Sequence, residues 1–154
     1  MYKRAYGKTQ SVWTFLPVSA FFVAVAWSSA TLADGSSRPY GGGGRINPGA
    51  IIAEYNKSDE RFRIEGSCQS SCTMLLAIKN VCVDPNATLL FHAALFPNEQ
   101  GQKPPPARQA AMLNSYKPKL RSFLVANHYV DTFEFHSISG RDIIQKFGYR
   151  ECPR

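Results

Sequence analysis

Polar and apolar residues alternate over Arg61-Phe62-Arg63-Ile64-Glu65, which predicts a strand with one covered face that ends at Gly66. A small polar turn follows, and the pattern then becomes continuously apolar. This predicts a helix from about Ser70 to near Lys79. Two short strands are expected between Val81 and His92, the second delivering His92 next to Ala93 and Ala94. Upstream, Asn47-Pro48 reads as a cap and first helical position, with Ile51, Ile52 and Tyr55 on one face of a short helix. Downstream, Pro97 and Pro104-Pro105-Pro106 exclude helix and sheet over Phe96 to Arg108 and favour an extended loop. That loop lies directly beyond His92, so it is either a cover for a site or a surface excursion.

Ala107 to Asn127 carries Leu113, Tyr116, Leu120, Phe123 and Leu124 on one side of an amphipathic helix, which Pro118 should kink or split. His128 to His136 mixes aromatic and polar residues without a clear period. Ser139, with Asp142 three residues on, is the expected N-cap of a short helix ending at Gly148. Short strands alternating with helices point to an α/β domain over 47–154. The stretch 34–46, with four successive glycines, reads as a flexible lead-in.

The N-terminal pattern is different in kind. Lys3, Arg4 and Lys8 precede an apolar run from Val12 to Trp27, and no acidic residue occurs before Asp34. Small residues then offer a cleavage site after Ala30 or Ala33. Residues 1–33 therefore have the layout of a secretory signal peptide, the other reading being an uncleaved inner-membrane anchor helix. Export to the periplasm or beyond is expected, with membrane attachment if the segment is retained. The absence of a cysteine near the cleavage region argues against a lipid anchor.

Composition sharpens this picture. The chain carries 18 Lys+Arg against 11 Asp+Glu, a net charge of +7. Removing residues 1–33 takes away three of those cations and no acid, which lowers the net charge to +4. The remaining cations are scattered, which gives nucleic-acid binding no support. The four cysteines, Cys68, Cys72, Cys82 and Cys152, all lie in the exported part and predict two disulfides whose pairing is open. Their spacing matches no closed zinc motif, and no metal or other cofactor is expected. Cys68-x-x-x-Cys72 also lacks the spacing of a thioredoxin-type redox pair.

The chemistry-bearing residues converge on Gly66 to Ala94. A serine at a strand-to-helix turn is placed to act as a nucleophile, and the first backbone N–H groups of the helix can stabilise an oxyanion. His92, at the end of a neighbouring strand, can take the serine proton. Ser70 and Ser71 compete for the nucleophile's place, because a shift of one residue in the turn exchanges them. Ser70 as a helix cap and His92 as a structural histidine are the plain alternatives. His128 and His136 read as surface or loop residues.

Three segments resemble the Clp-protease and crotonase superfamily, and more closely a group of small exported bacterial proteins related to the Clp proteolytic subunit. Gly66-Ser67-Cys68-Gln69-Ser70-Ser71-Cys72-Thr73 is similar to the group's Gly-x-Cys-x-Ser-Ala-Cys-Thr turn. Pro85-Asn86-Ala87-Thr88-Leu89-Leu90-Phe91-His92 is similar to the strand that bears the family's catalytic histidine, and Ile138 to Gly148 to its short helix ending in aromatic-Gly. The resemblance covers about Gly43 to Cys152.

It implies a short Clp-protease/crotonase-like α/β domain with Ser70 as nucleophile and His92 as general base. Gly43 or Gly44, with the Ser71 N–H, would form the oxyanion hole. The family's third triad residue, an aspartate, would fall near His136, where this chain has none. Glu134 is the expected substitute, with His136 a weaker one. The implied function is an exported serine hydrolase acting on a peptide or small ester, with homo-oligomers as the implied assembly. Crotonase-type acyl-CoA chemistry fits poorly, because an exported protein meets little CoA. The alternative is a non-catalytic, disulfide-stapled binding or scaffold domain in which Ser70 and His92 are relics.

Overall fold

The alternating segment at Phe62 forms one strand and then, after a bend at Gly66, a second. The same happens twenty residues later, and the two bent segments run side by side. The computed structural model describes residues 34–154; the expected signal or anchor segment, 1–33, lies outside the described residues. Strands are β1 (Gly35–Ser36), β2 (Phe62–Ile64), β3 (Ser67–Gln69), β4 (Val81–Val83), β5 (Thr88–Phe91) and β6 (His136–Ser139). They form two three-stranded sheets, ordered β1-β2-β4 and β3-β5-β6. The first is parallel throughout; in the second β3 pairs parallel to β5, and β6 runs antiparallel to β5.

The bend at Gly66 passes the chain from one sheet to the other. Gly66 has φ +64°, a conformation that costs a residue with a Cβ but not glycine. Asp84 N–H donates to Ile64 O at 2.8 Å and Thr88 N–H to Gly66 O at 2.8 Å, so pairing continues through the bend. The domain is thus mixed α/β, with small parallel and mixed sheets.

The described residues also form four α-helices: α1 (Pro48–Tyr55), α2 (Pro106–Asn114), α3 (Pro118–Ala126) and α4 (Gly140–Gln145). The Asn47 side chain caps α1 by accepting from Ala50 N–H, and Ser139 caps α4 by accepting from Asp142 N–H. Pro118 does split the amphipathic segment, since it begins α3 where its missing N–H costs nothing. The same freedom overturns the expectation that the proline loop excludes helix. Pro106 opens α2, and Pro97 opens a 3-10 turn at Pro97–Glu99. Between β3 and β4 the expected helix is present as a 3-10 helix, Ser70–Ala77.

Phe62, Ile64, Leu75, Leu89, Phe91, Leu120, Leu124 and Ile143 fill the core. Each contributes about 1.5–3 kcal/mol of burial. Two disulfides are present, Cys68–Cys72 across the serine turn and Cys82–Cys152 from β4 to the C-terminus. All four sulfurs are consumed, so the cysteines cannot serve as a zinc set. No helix among the described residues is long and apolar enough to cross a membrane.

One expectation fails outright: residues 34–46 do not form a flexible tether. Gly35–Ser36 pairs with β2, and Arg38–Tyr40 forms a 3-10 turn. Ser37 is fully buried, its hydroxyl accepting from Glu65 N–H at 2.9 Å and lying 3.1 Å from Glu65 O. Ser36 Oγ donates to Glu65 Oε1 at 2.7 Å, and Arg38 pairs with the same carboxylate, which together hold it below the usual carboxylate range. Composition suggested a linker because local flexibility was visible and these long-range partners were not.

Candidate active site

Ser70 is where strand β3 turns into the 3-10 helix. Its φ is +55°, one of two non-glycine residues among those described with positive φ. An L-residue in this region costs about 1–2 kcal/mol, so the surroundings must hold it there. Three constraints do so. The Cys68–Cys72 disulfide brackets the turn. The Thr73 hydroxyl donates to Ser70 O at 2.7 Å. Thr73 Oγ1 also lies 2.7 Å from Tyr116 OH. With the threonine proton committed to Ser70, Tyr116 is the donor in that pair. Both side chains are buried, and burial raises the Tyr116 pKa well above the phenol range, which keeps the hydroxyl protonated.

The Ser70 hydroxyl projects to His92, with Oγ to Nε2 at 2.7 Å. It does not cap the helix: the N-cap is Gln69, and no side-chain cap bond is present there. Ser71, the rival nucleophile, donates its hydroxyl to Gly44 O at 3.0 Å. Of the two serines, Ser70 is the one in contact with a base.

His92 follows β5 and is 5 % exposed. Phe133 and Phe135 meet its ring at steep angles, with centroids 4.8 and 4.7 Å away. Its Nδ1 is buried and has no hydrogen-bond partner among the described residues. Burial lowers the His92 pKa; the Ala93 backbone offsets part of this without closing a well-formed bond.

Glu134 does not take the place of the orienting acid. It is exposed, and its N–H donates to Thr132 Oγ1 at 3.3 Å. Phe133 and Phe135 on either side of it meet the His92 ring, while Glu134 faces solvent. His136 does not substitute either; it pairs opposite Phe91 in β6 and stacks on Tyr129 at 4.5 Å. Asp131 is engaged with His128, Nδ1 to Oδ2 at 2.6 Å. The triad reading is therefore corrected to a Ser70–His92 pair.

The glycine run packs directly on the serine turn. Gln69 N–H donates to Gly41 O at 3.0 Å and Gln69 Nε2 to Gly42 O at 2.9 Å. Gly43 has φ +62°, and a Cβ there would come within 2.3 Å of Gln69 O and 2.8 Å of Ser70 Cβ. Its N–H donates to Tyr40 O at 2.8 Å, so Gly43 is committed within a turn and is not an oxyanion donor. Its role is close approach. Gly44 and Ser71 do line the cavity in front of Ser70.

That cavity has a volume of about 300 Å³. Apolar side chains dominate its wall, among them Met74, Leu95, Phe96, Met112, Phe133 and Phe135. The residues just after Phe91 and at the start of the proline loop thus form a wall of the site. Arg108 is the one charged side chain among its described lining residues. Its guanidinium is held by Glu99, donates to Ala94 O at 3.2 Å and lies 4.4 Å over the Phe96 ring. Sequence reasoning missed Phe133, Phe135 and Met74; the Phe-x-Phe alternation was the available signal for the first two.

Comparison of the chain with protein-family models, curated proteins and solved structures finds no match.

Proposed function

We propose that this protein is a serine hydrolase of the Clp-protease/crotonase-like kind, exported from the cytoplasm, in which Ser70 is the nucleophile and His92 the general base. The observation that carries the reading is the 2.7 Å contact between Ser70 Oγ and His92 Nε2, made by a serine in a left-handed conformation at a strand-to-helix turn. Strained strand-to-helix turns present nucleophilic serines in hydrolases of other folds. The N–H groups of Ser71 and Gly44, both at the cavity, would receive the oxyanion. Two disulfides fit an oxidising compartment.

Loss of the carboxylate from a Ser-His-Asp triad costs about 10⁴ in kcat, so turnover should be slow beside that of a full triad. The unpartnered Nδ1 favours a second reading, a binding domain in which the pair is a relic. A fluorophosphonate probe separates the two. Labelling of the oxidised protein that persists in Ser71→Ala and vanishes in Ser70→Ala supports the hydrolase. A folded protein that takes no label in any form supports the binding domain.

A further inference from the structure

We infer that the bond cleaved at Ser70 is an ester carrying an uncharged, apolar acyl group, rather than a peptide amide; the inference rests on the hydrolase reading above. Two independent features lead to it, one in the cavity and one at the histidine.

The cavity decides the acyl group. At about 300 Å³ it sits at the small end of the range for small-molecule sites. Met74, Leu95, Met112, Phe133 and Phe135 offer dispersion and burial but no hydrogen bond. The cation at the wall, Arg108, is already matched by Glu99 and by the Ala94 carbonyl. An acyl group bearing a carboxylate or an ammonium would exchange water for a mainly apolar wall whose one cation is already paired with a carboxylate, which is unfavourable. A saturated chain or a phenyl group gains at every methylene.

The histidine decides the leaving group. In acylation Ser70 Oγ bonds to the acyl carbon and its proton moves to His92 Nε2. The tetrahedral intermediate then collapses, the bond from carbon to the leaving atom breaks, and the proton passes from Nε2 to that atom. Water next attacks the acyl-enzyme, gives its proton to His92, and releases the carboxylic acid as the proton returns to Ser70. An amine leaves only after it is protonated, so amide cleavage needs an imidazolium that survives in the intermediate. Here that cation would sit among aromatic rings with no carboxylate at Nδ1. A phenol departs with little protonation and an alcohol needs less assistance than an amine, so an ester makes less demand on this histidine.

The test is a set of p-nitrophenyl esters, acetyl through hexanoyl, beside a carboxylated acyl ester and a fluorogenic peptide, with fluorophosphonate labelling run in parallel. We expect kcat/KM to rise two- to fourfold per added methylene, the upper value corresponding to about 0.8 kcal/mol per buried CH₂. The carboxylated ester and the peptide should fall below the acetyl ester. Ala111→Phe, at the cavity wall, should narrow the ratio of hexanoyl to acetyl turnover. A flat or falling series, or a carboxylated ester or peptide turned over as fast as the apolar esters, with Ser70 still labelled, overturns this inference and leaves the hydrolase standing. A folded protein with neither labelling nor ester turnover overturns both.

Discussion

Replacing Ser70 by alanine and by glycine tests whether the serine turn is held under strain. Both variants remove the hydroxyl and its 2.7 Å contact with His92, so that loss cancels between them. They differ in the Cβ. At φ +55° an alanine keeps the penalty of the left-handed region, about 1–2 kcal/mol, and a glycine does not. Glycine has the larger conformational entropy to lose on folding, which returns about 0.5–1 kcal/mol. The difference leaves Ser70→Gly more stable than Ser70→Ala by about 0.5–1 kcal/mol. At ordinary sites the order is the reverse, because glycine is normally the destabilising choice. The sign alone is therefore diagnostic.

The assay is equilibrium urea unfolding of the two oxidised variants, followed by circular dichroism, with a common slope required before midpoints are compared. A thermal scan should show the same order, separated by a few degrees. Equal stability, or Ser70→Ala the more stable, would refute the strained turn. The comparison with hydrolases that present a nucleophile in this way would then lose its footing, although the Ser70–His92 contact would stand.

Two further outcomes follow from the groups around the pair. Tyr116→Phe keeps the ring that packs on Phe91 and removes the hydroxyl that donates to Thr73, so fluorophosphonate labelling should slow about tenfold, while the fold loses only about 1 kcal/mol. Thr73→Val should slow it likewise and Thr73→Ser restore it; equal rates in all three would show that this relay does not position Ser70. Labelling should also hold its rate as pH falls to 6.5 and decline only below it, because burial lowers the His92 pKa and the base stays neutral there. The same shift makes the fold lose stability as pH drops from about 6.5 toward the lowered value, since the unfolded chain then binds the proton more readily. A labelling midpoint above 6.5 would contradict the burial argument.

What could be read from sequence divides along physical lines. The strands at Phe62 and Leu89, the caps at Asn47 and Ser139 and the break at Pro118 are local matters of period and donor count, and each is present. Ser70 and His92 were also legible, since a serine in a strand-to-helix turn and a histidine at a strand end are positions the topology brings together. Three features were not. The left-handed φ of Ser70 has no local signal, because serine does not prefer that region and the disulfide, Thr73 and Tyr116 hold it there. Residues 34–46 read as a linker because their partners are more than twenty residues away: Ser36, Ser37 and Arg38 meet Glu65, and Gly41 and Gly42 meet Gln69. Glu134 lies close in sequence to the place the family's aspartate would take, but its side chain is exposed while the flanking Phe133 and Phe135 meet the His92 ring.

The exposure of Glu134 identifies what is unusual in the site. An orienting carboxylate does two things for a catalytic histidine: it fixes the ring's position, and it compensates the charge that forms on it. Here the first task falls to packing, because Phe133 and Phe135 clasp the ring and His92 is 5 % exposed. No carboxylate among the described residues performs the second, and the Ala93 backbone offsets only part of the cost of burial. Either neutral tautomer leaves Nδ1 unsatisfied, as a bare N–H or a bare lone pair, at a similar cost of about 1–3 kcal/mol. The two neutral tautomers thus differ by at most about 2 kcal/mol, or about 30-fold. The imidazolium is disfavoured by burial with no carboxylate among the described residues to offset it, and the whole contribution of that carboxylate in a triad, tautomer and charge together, is about 10⁴ in kcat. A histidine so held can accept a proton from Ser70 briefly and cannot store it, and this is why the chemistry open to the site is set by how little the leaving group asks of its base.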